Sequence, residues 1–161
     1  MRFQMRERLL SVGDDYWIEN GDGAKVYRVD GKAVRVRNTF ELEDAHGTQV
    51  AKIQTKMARV RDTMDIEHGD GSSMATVKKA LISPLRDRFQ VEVESGEDLE
   101  VQGNIVDHEY EIERDGHKVA EVSKKWFRVR ESYGVEVADP ADVVLVLAVT
   151  VALESMTDGV G

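Results

Sequence analysis

The sequence contains no cysteine, and its N-terminal region has no long uninterrupted apolar stretch. A chain without cysteine forms neither a disulfide framework nor a zinc site with thiolate ligands, which fits a reducing compartment. A secretory signal would need an apolar core of roughly 7 to 15 residues, so the sequence argues against export. Both absences predict a cytoplasmic protein.

Basic residues are outnumbered, with 22 Lys and Arg against 31 Asp and Glu and a net charge of -9 at pH 7. Such a surface repels phosphate backbones, and affinity for nucleic acid depends largely on neutralising those phosphates. We therefore expect no nucleic-acid partner. The acidity suits a halophilic protein made in high salt, and an ordinary acidic cytosolic protein is the alternative.

Sequence patterns that carry catalysis are missing as well. There is no Gly-x-Ser-x-Gly turn, no glycine-rich phosphate loop and no His-Glu-x-x-His zinc helix. The histidines at positions 46, 68, 108 and 117 lack the spacing of metal ligands, and we predict solvated turn residues for them. The sequence thus predicts a protein that is not an enzyme and that binds no cofactor or metal ion.

One unit of the sequence occurs twice. Residues 47–67 recur as residues 116–136, with eight identities in 21 ungapped positions, and a weaker third copy lies between them. Repetition at a fixed spacing indicates a repeated supersecondary unit, which we interpret as a β-hairpin. At 161 residues we expect a single domain over 1–161, with hairpin repeats at about 34–67 and 104–136.

Polar and apolar residues alternate through most of the chain, which is typical of antiparallel strands with one buried and one wet face. Examples are residues 26–29, 34–37 and 40–43. Asp30-Gly31 is predicted to form a tight turn between the first two. Further turns are expected at 20–23, 44–47, 69–71, 95–96 and 115–116. About a dozen such strands would close into a barrel, because an open sheet of that size leaves exposed edges.

The segment 141–153 does not alternate and is apolar on every side. A helix over about 140–155 is predicted from its start signals, which are Asp139 as N-cap, Pro140 at the first helical position and Asp142 in the first turn. A helix that is apolar all round must be buried on all sides. A buried strand and a membrane span are the alternatives, although the apolar run is shorter than the roughly 20 residues that a span needs.

This helix is expected to fill the barrel, because about twelve strands enclose more space than their own side chains fill. A helix of about 10 Å diameter fits that space. The predicted fold is therefore mainly β, a closed antiparallel barrel of about twelve strands around a buried hydrophobic C-terminal helix. The inward residues would be Val26, Val36, Leu42, Ile53, Val77, Val91, Ile105, Ile112, Val122, Val129 and Val135.

Four stretches of the sequence are distinctive. They are SVGDDYWIE at 11–19, ATVKK at 75–79, GNIVD at 103–107 followed by YEI at 110–112, and VAEVSKKWF at 119–127 followed by YGV at 133–135. Together they resemble the LURP-one-related family, whose fold is shared with the tubby C-terminal domain and more distantly with phospholipid scramblases. The resemblance covers nearly the whole chain and implies a twelve-stranded barrel around a hydrophobic C-terminal helix. It implies no catalytic residues, because most members have no established activity.

Basic residues recur at equivalent places in the hairpin copies. The candidates for an anion-binding or lipid-binding rim are Lys78, Lys79, Lys124, Lys125, Arg128 and Arg130. Their ammonium and guanidinium groups match phosphate oxygens, and the resemblance implies phosphoinositide binding through barrel residues in the tubby branch. The alternative is that they are outward strand residues that pair with neighbouring Glu. Of the adjacent aromatics, we expect Phe127 in the core and Trp126 outside.

The leading hypothesis is a non-catalytic, soluble binding or interaction module whose protein partner is unidentified. Peripheral binding of an anionic lipid headgroup through the basic residues is the alternative. The net charge of -9 opposes an anionic membrane, near which each Lys or Arg contributes about 1 kcal/mol. We expect no transmembrane segment.

Overall fold

The computed structural model describes residues 1–6, 15–32, 39–56, 63–80, 87–127 and 131–157. The described part contains twelve antiparallel strands and one α-helix, α1, at Val143–Thr157. The strands in chain order are β1 Arg2–Arg6, β2 Asp15–Asn20, β3 Lys25–Lys32, β4 Thr39–Asp44, β5 Gln49–Thr55, β6 Thr63–His68, β7 Ser73–Lys79, β8 Asp87–Val93, β9 Leu99–Asn104, β10 Glu109–Arg114, β11 His117–Ser123 and β12 Ser132–Val137.

The sheet is a closed meander in which each strand pairs with the strands before and after it in the sequence. Closure occurs where β1 inserts between β2 and β12, with Phe3 opposite Val135 and Met5 opposite Tyr133. A closed sheet has no strand edge along which another chain could add. The fold predicted from the alternation, a closed antiparallel barrel of about twelve strands, is confirmed.

Recurring hairpin turns define one end of the barrel. In the β4–β5 turn the Asp44 carboxylate accepts the N–H groups of His46 and Thr48 at 2.9 and 3.0 Å. Gly47 then has a φ of +83°, which glycine adopts at little cost. The turns after β2 and β6 repeat this backbone course with Gly23 and Gly71, and a register shift precedes all three. This is a three-residue hairpin loop closed by a bulge. The side-chain acceptor is Asn20 in the first of these turns and Asp70 in the second.

The two copies of the sequence repeat correspond to β5–β6 and β11–β12, which are both hydrogen-bonded strand pairs. The predicted tight turn at Asp30-Gly31 is wrong, because β3 continues through both residues and pairs there with Phe40 and Glu41 of β4. An Asp-Gly pair permits a turn without requiring one, and the pairing partners on β2 and β4 keep the strand extended. The predicted strand at 34–37 lies outside the described residues.

The C-terminal helix lies inside the barrel. Its residues 146–153 are buried without interruption, which covers every side of the helix through more than two turns. Asp139 accepts the N–H of Ala141 at 2.9 Å, and a short 3-10 turn at Pro140–Asp142 leads into α1. The predicted helix is confirmed, and the alternative of a buried strand is wrong. Pro140–Thr157 has the length and hydropathy of a membrane-spanning helix, yet in the fold the barrel strands surround it.

Most of the predicted inward residues line the core. Leu42, Ile53, Val77, Val91, Ile105, Ile112, Val122 and Val135 are all buried. In β3 the fully buried valine is Val29, whereas Val26 is half-buried, because the register shift at Ile18/Glu19 changes the alternation near the turn. The predictions for Val36 and Val129 lie outside the described residues.

The expectation that Phe127 lies in the core is wrong. Phe127 and Trp126 are both half-buried, and both rings lie over Gly134, on the side of β12 opposite to the buried Tyr133 and Val135. A Cβ at Gly134 would lie 2.7 Å from the Trp126 ring and 2.8 Å from the Phe127 ring. Glycine at this position lets both aromatic rings pack on the outer wall.

The enclosed helix makes its central leucine a sharp test of the barrel. We expect Leu147→Asp to prevent folding, because an unpaired carboxylate inside an apolar core costs several kcal/mol. Leu147→Met, which nearly conserves volume, should cost less than about 1.5 kcal/mol. Circular dichroism and size-exclusion chromatography would compare the variants, and a cooperatively folding Leu147→Asp protein would contradict the enclosure.

Candidate functional site

The two ends of the barrel differ in charge. At the end where the even-numbered strands finish, the connecting residues 21–24, 45–48, 69–72, 94–98, 115–116 and 138–142 contain no Lys or Arg. Acidic residues in or beside these connections are Asp22, Asp44, Asp70, Glu94, Glu97, Asp98, Asp115, Asp139 and Asp142, whereas the basic residues directly beside them are Lys25 and Arg114. We name this the acidic end.

The opposite end, where the odd-numbered strands and α1 finish, is the basic end. Its described basic residues include Arg6, Lys56, Lys79, Arg88, Lys124 and Lys125, beside acids such as Asp15 and Glu109. Among the described residues, basic side chains are therefore concentrated where the odd-numbered strands finish.

The two predicted candidates on β7, Lys78 and Lys79, differ in position and in partners. Lys78 Nζ lies 3.1 Å from Glu92 Oε1 on the outer wall, in a cross-strand pair with both side chains well exposed. Such an exposed pair contributes about 0 to 1 kcal/mol. Lys79 is exposed and follows the inward Val77 by two residues, so it projects from the inner side of the strand at the barrel mouth.

The candidates after β11 are held by their backbone. Glu109 Oε1 accepts hydrogen bonds from Ser123 Oγ at 3.0 Å and from the Lys124 N–H at 3.1 Å. Ser123 Oγ in turn accepts the Lys125 N–H at 3.1 Å. Lys124 and Lys125 are therefore exposed on a turn whose course is fixed by these contacts.

The structure thus brings Lys124 and Lys125 together and places Lys78 and Lys79 on a different part of the wall. Three strands, β8, β9 and β10, separate the two pairs. Both pairs lie at the basic end, but they form a discontinuous rim rather than one pocket. The predicted Arg128 and Arg130 lie outside the described residues.

Beneath this rim lies a buried contact between a histidine and a glutamate. His108 Nε2 is 2.5 Å from Glu154 Oε2, and both residues are only 7% exposed. Glu154 belongs to the last turns of α1, whereas His108 ends the connection between β9 and β10 with a φ of +56°. The His108 N–H donates to Ile105 O at 3.1 Å, which fixes the turn. The pair ties the end of the central helix to the wall.

Three tyrosines surround this pair. The Tyr133 ring stacks on His108 with 4.3 Å between ring centroids and 24° between planes. Burial, reinforced by the negative charge of Glu154, raises the pKa of Tyr16 and of Tyr110 well above the usual tyrosine value. Both phenols therefore stay protonated at neutral pH. The cluster is a polar island within the apolar core.

The prediction that His108 is a solvated turn residue is partly wrong: the residue lies in a turn, but it is buried and not solvated. Glu154, at the edge of an otherwise apolar helical run, was the available sequence signal, because a buried carboxylate needs a cationic or donor partner. The partner itself could not be identified from sequence, since 46 positions separate the two residues. His46, His68 and His117 are exposed, as expected.

Carboxylates also meet on the outer wall. Ligand atoms of Asp30, Glu41 and Glu43 all lie within 4.8 Å of one another. The Arg28 guanidinium lies 3.3 Å from both Asp30 and Glu43, so a protein cation already balances part of this charge. Among the described residues this is the group whose spacing would suit a cation.

Comparisons with known proteins agree with this architecture. The family model described as LURP-one-related matches residues 1–154. The chain belongs to the LURP-one-related family. A solved X-ray structure of a protein from Arabidopsis thaliana is similar to this LURP-one-related chain with a TM-score of 0.63 and 15% identity, covering 92% of this chain and 89% of that one. At this identity the likeness shows the fold alone. No curated protein gives a match.

The buried pair predicts a specific stability defect in this LURP-one-related protein. His108→Asn should lower the free energy of unfolding by about 3 kcal/mol, because asparagine tolerates the positive φ but is too short to reach Glu154. Adding Glu154→Gln should recover part of the loss, since it removes the uncompensated charge. Urea unfolding measures both, with His46→Asn as the exposed control expected within about 0.5 kcal/mol of wild type. A His108→Asn protein as stable as that control would rule out the structural role of the pair.

Proposed function

We propose that this protein is a non-catalytic binding module that engages its partner with the outside of the barrel. The observation that carries this proposal is the filled lumen. Residues 146–153 of α1 are buried on all sides, so the helix occupies the space in which other barrels of similar size hold a ligand. A partner must then be recognised by the wall or by one of the two ends.

The chemistry of the described polar groups also supports a binding role. The buried His108–Glu154 pair is the kind of acid and base combination that catalysis uses, but its two groups bond each other and lie under Tyr133. General acid–base catalysis needs such groups within hydrogen-bond reach of a substrate. Their enclosure favours a role in holding the helix.

Native mass spectrometry tests the filled lumen. We expect the purified protein to have the mass of the chain alone, 18.1 kDa, without a stoichiometric ligand. The same spectrum recorded after denaturation provides the reference mass. A lipid or other molecule that accompanies the native protein at one per chain and is lost on denaturation would overturn the argument from the helix.

The charge difference between the ends favours a second candidate function, docking on anionic lipid headgroups through the basic end. The acidic end would then point away from the membrane, which reduces the opposition from the net charge of -9. Val106, 39% exposed in the β9–β10 connection, adds an apolar side chain at the end that would face the lipid. Basic residues near an anionic surface contribute about 1 kcal/mol each.

This candidate predicts that the protein co-sediments with vesicles containing a phosphoinositide at moderate salt. Lys124→Glu combined with Lys125→Glu should weaken binding at least about tenfold, because two favourable charges become unfavourable. Lys25→Glu combined with Lys118→Glu changes the net charge equally at the acidic end and should leave binding nearly unchanged. Wild-type protein that stays in the supernatant, or equal losses in both double variants, would remove lipid docking while leaving the binding-module proposal intact.

A further inference from the structure

The acidic end contains a cavity that the proposed function does not use. Its volume is about 590 Å³, and it lies between β1, the start of α1 and the turns that follow β2 and β4. Small-molecule sites in proteins occupy roughly 300 to 1,000 Å³. The cavity is therefore large enough to take one small ligand at the end opposite to the basic rim.

The body of such a ligand must be apolar. Phe3 and Val143 are 3% and 4% exposed and form the floor, and the half-buried Val26 and Tyr27 add further apolar surface. The Phe3 and Tyr27 rings meet edge to face, with centroids 6.3 Å apart and planes at 63°. Packing against each other, the two rings offer a fixed aromatic surface on which an alkyl or aryl group can pack.

Charged groups of both signs line the mouth of the cavity. Asp22 and Asp44 contribute carboxylates to the lining. Arg2 also lines the cavity, but its Nε donates to Glu136 at 2.8 Å, and its guanidinium lies over the Trp126 ring at 4.8 Å. The positive charge of Arg2 is thus matched by groups on β12 and the outer wall. The Met1 α-ammonium also lines the cavity, but it donates to Val137 O on β12 at 3.0 Å. No ion pair among the described residues joins Asp22 or Asp44 to a basic group.

We propose that this cavity binds a small amphiphilic cation, with an aryl or short alkyl body on the floor of Phe3 and Val143 and one ammonium or guanidinium group between Asp22 and Asp44. The apolar floor supplies contact area, and the two carboxylates select the sign of the charge. The site is independent of the basic rim, because it lies at the other end of the barrel and uses none of its residues.

Two probes that share an apolar body and differ in charge test the proposal. 4-Phenylbutylamine and 4-phenylbutanoate would be titrated separately into the ¹⁵N-labelled protein at low salt. The amine should shift the backbone amides of residues 20–24 and 44–48 and bind at least about tenfold more tightly than the carboxylate, because their only difference is the charge that meets the two aspartates. Added salt should reduce this preference. Equal affinity for the two probes, or no binding of either, would overturn the proposal.

Variants assign the effect to the cavity. Asp22→Asn with Asp44→Asn should reduce the preference for the amine at least fivefold, while the amide oxygen at position 44 can still accept the N–H groups of His46 and Thr48. Asp70→Asn changes the same charge in the turn after β6, outside the cavity, and should have no effect. If the change at Asp44 disturbs its turn, the single variant Asp22→Asn is compared with Asp70→Asn instead.

A final variant separates the apolar contact from the charge. Val26→Thr keeps the shape of the side chain but makes it polar, so both probes should bind more weakly by a similar factor. A loss of amine binding in Asp70→Asn equal to that in Asp22→Asn would show a general field effect of the acidic end and would overturn the site. Unchanged binding of both probes in Val26→Thr would equally exclude the proposed position of the apolar body.

Discussion

The need to cover α1 on every side governs the rest of this structure. A helix whose residues 146–153 are apolar, with only the hydroxyl of Thr150 as an exception, has no face that can meet water. Thr150 satisfies its hydroxyl by donating to Leu147 O at 2.7 Å within the helix. One sheet can surround such a helix only by closing, and closure with enough room for a helix requires many strands. The twelve-stranded meander is the solution found here.

Polar contacts fix the helix at its two ends rather than along its length. Arg114 donates to both Asp142 oxygens, at 3.0 and 2.9 Å, beside the start of α1, and His108 meets Glu154 near its end. Both partners flank the same strand, since Arg114 is the last residue of β10 and His108 immediately precedes that strand. Burial of apolar surface is not directional, so by itself it does not select one depth or rotation of the helix within the barrel. The Arg114–Asp142 ion pair and the His108–Glu154 contact, at opposite ends of one strand, define a single position.

Because the helix fills the interior, the proposed binding sites lie on the surface. The meander determines at which end of the barrel each connection lies. Alternate connections lie at alternate ends, so a sequence that is acidic in one set of connections and basic in the other produces a molecule with two unlike ends. The basic rim around Lys124 and Lys125 and the acidic cavity near Asp22 and Asp44 follow from this sorting. If both proposals hold, their opposite charge would favour different classes of partner. The two proposed binding surfaces thus lie at opposite ends of the barrel, and neither requires a ligand in the core.

The sequence determined the architecture because the architecture depends on local patterns. Alternation gave the strands, the turn residues at 20–23, 44–47, 69–71 and 115–116 gave the hairpins, and Asp139-Pro140 marked the helix start. The same reasoning failed at Asp30-Gly31 and Phe127, where the outcome depended on neighbours distant in sequence. The basic candidates could be named from the repeat, but their separation by three strands could not be read from it.

Only the tertiary structure decided which polar residues meet. His108 and Glu154 look unremarkable in their own segments, and their contact exists because the helix returns through the barrel to the β9–β10 connection. The cavity at the acidic end likewise combines β1, two turns and the helix start, which no local pattern relates. Periodicity fixes the face on which a side chain lies, since that depends on the backbone of one element. The identity of its partner depends on how elements close around one another, which is a property of the whole chain.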